Sequence, residues 1–156
     1  VVTWLMSKLF NMIPVYRPDT QPNKTAKNAD IFEKCYAHLA NKGSILIFPE
    51  GSSVTEKHLR SLKTGTARIV LGTEKMSNVK VQIIPIGLNY TDPHTFQSDL
   101  FVNIGKPIFT TGIKLNSITN EFEKAKALTA IIEDRLKENV FHIEDIRLEA
   151  LFEKIS

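Results

Sequence analysis

Cysteine is almost absent from this 156-residue chain: Cys35 stands alone. That excludes an internal disulfide and a cysteine-only metal site, and it fits a reducing compartment. Histidine is scarce as well, with four residues, and no group of them has metal-ligand spacing. A one-sided charge is lacking, since 20 basic against 17 acidic residues leave +3. The basic residues are spread along the chain, which argues against a nucleic-acid partner. No stretch reaches the roughly 20 apolar residues that a membrane-spanning helix needs. "VVTWLMSKLFNMI" at the start is broken by Thr3, Ser7, Lys8 and Asn11. There is no internal repeat or low-complexity tract. A signal peptide's charged start and small-residue cleavage site are missing, as is an initiator methionine, so the chain reads as the middle of a longer one.

What is present is a globular composition, 42% hydrophobic, enough to bury a core and expected to form one domain over residues 1–156. In the apolar segment 1–13, Trp4, Leu5, Leu9 and Met12 share one helical face, which can pack on the domain or rest on a membrane surface, with Phe10 a further surface contact. "IPVYRP" is extended, because Pro14 and Pro18 bias the residues before them away from the helical region. A polar loop, Asp19 to Lys27, follows. "NADIFEKCYAHLANKG" reads as a helix capped by Asn28 or Asp30, with Ile31, Phe32, Cys35 and Leu39 at helical spacing and Gly43 as a left-handed stop. "SILIF" is an unbroken apolar run of the kind buried on both faces of a sheet. A helix from about Thr66 to Lys75 separates it from two more strand candidates, "VKVQIIPIGLNY" and "DLFVNIGKPIF". Residues 120–156 read as helical, with Leu128, Ile131, Ile132 and Leu136 at core spacing. The expected fold class is therefore α/β, a mixed sheet covered by helices.

Chemistry gathers at "PEGSS", beyond the carboxyl end of the first strand, where α/β sheets expose backbone N–H groups to ligands. Gly51 lets backbone approach a ligand closely, and Ser52 and Ser53 add hydroxyl donors. Arg60, Lys63, Gly65 and Arg68 lead toward the next helix, and Arg17 lies in the earlier extended segment. Together these outline a phosphate pocket. Glu50 repels phosphate, so its carboxylate accepts from substrate hydroxyls or orients a cation. A polyol phosphate satisfies both halves. The plainer reading is a surface turn, with Glu50 solvated or paired to a lysine and the cations merely exposed.

"IPVYR", "LIFPEGSS", "LKTGTARI" and "IIPIGLNY" occur in the order, and at about the separations, of the later sequence blocks of the glycerolipid acyltransferases. The chain resembles that family, the glycerol-3-phosphate and 1-acyl-glycerol-3-phosphate acyltransferases, over most of its length. The resemblance implies a glycerol-phosphate acyltransferase-like fold. It also implies transfer of a fatty acyl group from an acyl thioester, coenzyme A or acyl carrier protein, to a hydroxyl of a glycerol phosphate or lysophospholipid. No cofactor beyond that co-substrate is implied, and the place of action is a membrane, at its cytoplasmic face. Arg17 corresponds to the arginine of the second block, which binds the substrate phosphate. Glu50 and Gly51 correspond to the acid and glycine of the third, which help hold the acceptor, and Pro85 lies in the fourth, associated with the acyl side.

Two departures qualify the match. The third block usually reads Pro-Glu-Gly-Thr-Arg-Ser, whereas here Ser53 stands at the arginine position, which shifts phosphate binding onto Arg17 and Lys63. The first block, a histidine followed five positions later by an aspartate, does not precede "IPVYR", so the catalytic base is expected to lie outside this chain. His94 stands five positions before Asp99, a spacing that suits a histidine base oriented by a carboxylate, but the pair follows the fourth block. His38, His58 and His142 lack such an aspartate. The competing reading of the whole chain is a non-catalytic phosphate-ester or lipid-binding module. A phosphate-ester hydrolase would need further carboxylates or a nucleophile at strand ends, where only Glu50 is well placed.

Overall fold

A computed structural model of the chain describes residues 12–13, 28–51, 59–92, 94–113, 115 and 117–140. The expected amphipathic segment 1–13, apart from Met12 and Ile13, lies outside these residues, as do "IPVYRP" with Arg17, the loop 19–27, Ser52, Ser53, His58 and everything after Val140. The elements run α1 (Asn28–Ala40), α2 (Gly65–Ser77), β1 (Gln82–Ile83), β2 (Ile86–Tyr90), β3 (Leu100–Ile104), β4 (Ile108–Phe109), a 3-10 turn (Thr110–Gly112) and α3 (Glu121–Lys137). The chain packs as two compact units, Val1–Ile45 with Gly72–Val79, and Leu46–Leu71 with Lys80–Ser156. No described helix is long and apolar enough to cross a membrane.

The first unit rests on α1 and the second half of α2. Cys35 is buried, with Ile31, Phe32 and Leu39 half-buried beside it, as their helical spacing predicts. The Phe32 and Tyr36 rings lie 6.2 Å apart and tilted, and the Tyr36 ring lies against Gly72 of α2. α1 ends in a Schellman motif, in which Lys42 N–H donates to Leu39 O at 3.0 Å and Gly43 N–H to His38 O at 2.9 Å. The left-handed residue is Lys42, at φ 63°, not the expected Gly43. Gly43 stands one position further on, where the His38 ring occupies the space a Cβ would need.

In the second unit α3 supplies the largest share of the core. Ala125, Leu128, Thr129, Ile132 and Leu136 are buried along one stripe, joined by Leu62, Ala67, Val70, Val81, Ile108 and Leu115. Asn120 starts the helix, its side chain accepting from Phe122 N–H at 2.9 Å and Glu123 N–H at 3.3 Å. Glu121 and Glu123 then lie in the first turn and Arg135 and Lys137 in the last, which complements the helix dipole at both ends.

The strands form one antiparallel ribbon broken in the middle. β2 pairs with β3, Ile86 opposite Ile104 and Tyr90 opposite Leu100, and β1 pairs with β4, Ile83 opposite Ile108. Between these registers two residues, Ile84 and Pro85, face three, Gly105, Lys106 and Pro107, so the ladder carries a bulge. Neither proline can donate to it, which accounts for the split into two short sheets. Pro85 O still accepts Gly105 N–H at 2.8 Å. The other face of β2 and β3 carries Gly87, Asn89, Phe101 and Asn103, and Asn89 and Asn103 donate to Asn139 O at 3.0 and 3.1 Å. At Gly87 the Asn139 carbonyl comes so close that no side chain fits.

Two expectations about the sheet are overturned. "SILIF" joins no strand among the described residues, and Leu46 and Phe48 are 77% and 69% exposed. Ile45 and Ile47 are half-buried and Ser44, Leu46 and Phe48 exposed, an alternation of strand type in a run that pairs with no described strand. The two later strands are likewise not covered on both faces. The outer face of β2 and β3 carries Ile86, Leu88 and Tyr90 opposite Ile104, Val102 and Leu100, all exposed. No helix intervenes between β2 and β3, so the pair closes as a hairpin and not as a parallel crossover. The architecture is mixed α/β with antiparallel pairing.

Candidate functional site

Between Phe48 and Lys63 the chain makes an excursion whose neck is closed by backbone bonds. Gly51 N–H donates to Phe48 O at 3.3 Å, a tight turn with Pro49 at its second position, where the ring's fixed φ suits the bend. Gly51 itself has φ 72°, the left-handed region that a side chain would strain. Lys63 N–H then donates to Pro49 O at 2.9 Å, so the outgoing and returning legs lie side by side.

Glu50, half-buried, stands at this neck. Its Oε2 accepts the backbone N–H of Arg60 at 3.2 Å, which turns the carboxylate toward the returning leg. Two residues on, Leu62 N–H donates to Glu133 Oε2 of α3 at 3.3 Å, while Glu133 Oε1 pairs with Lys137 Nζ at 3.2 Å. Leu62 is buried and Lys63 exposed. The Lys63 stem passes over the turn, its Cγ 3.5 Å from where a Gly51 Cβ would stand. Glu50, Gly51 and Lys63 therefore meet at one turn.

α2 begins just beyond, with Arg68 N–H donating to Thr64 O at 2.9 Å. Its first turn holds no acidic residue, so the positive end of the helix is not neutralised there. Thr66 Oγ1, in that turn, is buried without a hydrogen-bond partner among the described residues. An orphaned buried hydroxyl costs about 1–3 kcal/mol, and an incoming acceptor oxygen would relieve it.

The other sequence candidates stand elsewhere. Pro85 is buried at the centre of the ribbon. His94 and Asp99 are exposed in the loop between β2 and β3. The hydrogen bonds of that loop do not join them. Asp92 accepts the His94 backbone N–H at 2.8 Å and the Thr95 hydroxyl, and Asp99 N–H donates to Thr91 Oγ1 at 3.1 Å. The Thr95 hydroxyl, and then the His94 amide, hold the Asp92 carboxyl below the usual carboxylate range. His38 Nε2 lies 3.1 Å from Ser44 O. Burial pushes the Cys35 thiol up. Among the described residues no three metal-ligating side chains stand together.

Two residues at the neck carry no sequence signal. Glu133 reads as one more charge on a charged helix, and its partner is 71 positions away. Thr66 is a threonine in a helix, and only its burial makes it notable.

The sequence model of the family described as Acyltransferase matches residues 1–89. Glycerol-3-phosphate O-acyltransferase 1 of Saccharomyces cerevisiae is 42% identical over 79 residues, 50% of this chain and 10% of that protein. Glycerol-3-phosphate O-acyltransferase 2 of the same yeast is 35% identical over 86 residues, 54% of this chain and 12% of its own length. An uncharacterized acyltransferase of Schizosaccharomyces pombe is 30% identical over 95 residues, 58% of this chain and 14% of its own. The chain thus aligns with only about a tenth of the length of these relatives. No solved structure gives a significant match. The matched span contains the turn at Glu50 and Gly51, the Lys63 leg and the start of α2, and on that match the chain belongs to the Acyltransferase family.

Proposed function

We propose that this chain carries the acceptor-binding part of an enzyme of phospholipid biosynthesis. That enzyme transfers a fatty acyl group from an acyl thioester, of coenzyme A or acyl carrier protein, to a hydroxyl of a glycerol phosphate or lysophospholipid. The observation that carries the reading is the meeting of Glu50, Gly51 and Lys63 at one turn in a family member whose relatives are named glycerol-3-phosphate O-acyltransferases. In the reaction the acceptor oxygen attacks the thioester carbonyl and the carbon–sulfur bond breaks. The hydroxyl proton passes through a base to the departing thiolate.

Each residue has a role in holding the acceptor. Lys63 and Arg17 attract the phosphate, and the hydroxyls of Ser52 and Ser53 offer donors. The start of α2 favours the same charge. Glu50 is engaged through Oε2 with Arg60, and its Oε1 has the lone pairs to accept from a glycerol hydroxyl. Pro85 is assigned to the acyl side. None of the described histidines is assigned as the base. The site works at the cytoplasmic face of a membrane, where its lipid product belongs.

Calorimetric titration of the chain with glycerol 3-phosphate, beside inorganic phosphate and glycerol, tests this. Glycerol 3-phosphate should bind more tightly than either fragment. Arg17→Ala should weaken it and inorganic phosphate alike, whereas Glu50→Ala should weaken glycerol 3-phosphate alone. Equal binding of glycerol 3-phosphate and inorganic phosphate would leave Glu50 without its role in the acceptor site.

A further inference from the structure

We propose that Glu133, on α3, is a positioning residue of the acceptor site, acting through the backbone of Leu62. The inference rests on the acceptor reading of the Glu50 turn. The leg that returns to α2 is fixed at three successive places: Arg60 N–H on Glu50 Oε2, Leu62 N–H on Glu133 Oε2, and Lys63 N–H on Pro49 O. Two of these anchors belong to the turn itself. The third, Glu133, ties the leg to α3, which is packed into the core through Thr129, Ile132 and Leu136 on the same side of the helix.

The bond is set up at both ends. Leu62 is buried and adjoins Lys63, so a shift of its amide moves the Lys63 stem over Gly51. Glu133 is held in turn, since its second oxygen pairs with Lys137 at 3.2 Å. Lys137 follows by four residues, a spacing that places both side chains on one helix face. A carboxylate with one oxygen on a cation and the other on a backbone amide has little rotational freedom. Glu133 thereby fixes the separation between Lys63, which takes the phosphate, and Glu50, which takes the hydroxyl. A ligand carrying both a phosphate and a hydroxyl depends on that separation, and inorganic phosphate does not.

The position demands reach more than charge, which sets the test. Glu133→Gln keeps an acceptor oxygen at the same distance and loses the charge. Glu133→Asp keeps the charge but is one methylene shorter and cannot reach Leu62 N–H. Backbone amide exchange at Leu62 and calorimetric binding of glycerol 3-phosphate and inorganic phosphate are measured for both, with Arg135→Ala as the α3 control. Glu133→Asp should speed Leu62 exchange about tenfold and weaken glycerol 3-phosphate by a similar factor, as expected for one lost hydrogen bond, while inorganic phosphate binding changes little. Glu133→Gln, which keeps the acceptor for Leu62 N–H but loses the Lys137 pair, should be less impaired than Glu133→Asp in both. The reverse order, Gln impaired and Asp intact, would show a charge effect and overturn the proposal. So would accelerated Leu62 exchange with unchanged glycerol 3-phosphate binding. If the unaltered chain does not bind glycerol 3-phosphate at all, the acceptor reading fails first and the role of Glu133 falls with it.

Discussion

At Gly51 the backbone decides what the residue can be. With φ 72°, Gly51→Ala should lower stability by about 1 kcal/mol or more in urea unfolding, and acceptor binding should fall further because the turn carries Glu50. Asp92 gives a pH signature. Its carboxyl is lowered by the Thr95 hydroxyl and the His94 amide, so its contribution is present above the unfolded-state value and is lost as pH falls through the lower folded one. In an NMR titration the His94 amide should stay constant through the ordinary carboxylate range and move only below it. Asp92→Asn should abolish that movement. Cys35 behaves oppositely. Burial raises its thiol, so a thiol reagent should react slowly until the chain is unfolded. Glu50 and Gly51 were legible in the sequence because a proline, an acid and a glycine in succession specify a turn locally. The use of the Glu50 carboxylate was not, because its partner is a backbone amide, and any residue at position 60 but proline supplies one.

The helices were the most legible elements, since their apolar stripes are contiguous patterns; their caps were not, because Asn28 and Asp30 both stand within α1 and the left-handed residue at its end is Lys42. Asn120 caps α3 through two amides, and Asn120→Ala should cost about 1 kcal/mol in thermal or denaturant unfolding. Leu128→Ala, at a fully buried position in the same stripe, should cost about 2–5 kcal/mol. The strands were legible only in part. Both ribbon segments lie within the runs that alternation and apolar content mark out, but "SILIF" has the same composition and pairs with nothing described. A strand needs a neighbour, and pairing is a property of the fold, not of the run. The same gap separates Gly87 from its reason, because only the approach of Asn139 O requires a glycine there.

At the scale of the whole molecule, the open face of β2 and β3 stands out. Ile86, Leu88, Tyr90, Leu100, Val102 and Ile104 lie exposed together, and Phe96 in the connecting loop is 90% exposed. An apolar face of this kind should bind a hydrophobic dye and promote self-association. Leu88→Thr with Val102→Thr should reduce both while leaving the unfolding midpoint nearly unchanged, because neither side chain is in the core. A large loss of stability in that pair would mean the face is packed in solution.

The sequence by itself determined the family, through four ordered blocks, and the three described helices, through an apolar spacing that acts over a few residues. It also located the turn at Glu50 and Gly51, since turn chemistry is local. Tertiary structure alone decided that the strands return as an antiparallel, bulged ribbon with its apolar side open. It alone brought Glu133 to the amide of Leu62 and left the Thr66 hydroxyl without a hydrogen-bond partner among the described residues. Those outcomes depend on which distant segments meet, and neither composition nor periodicity encodes a meeting between residues 71 positions apart.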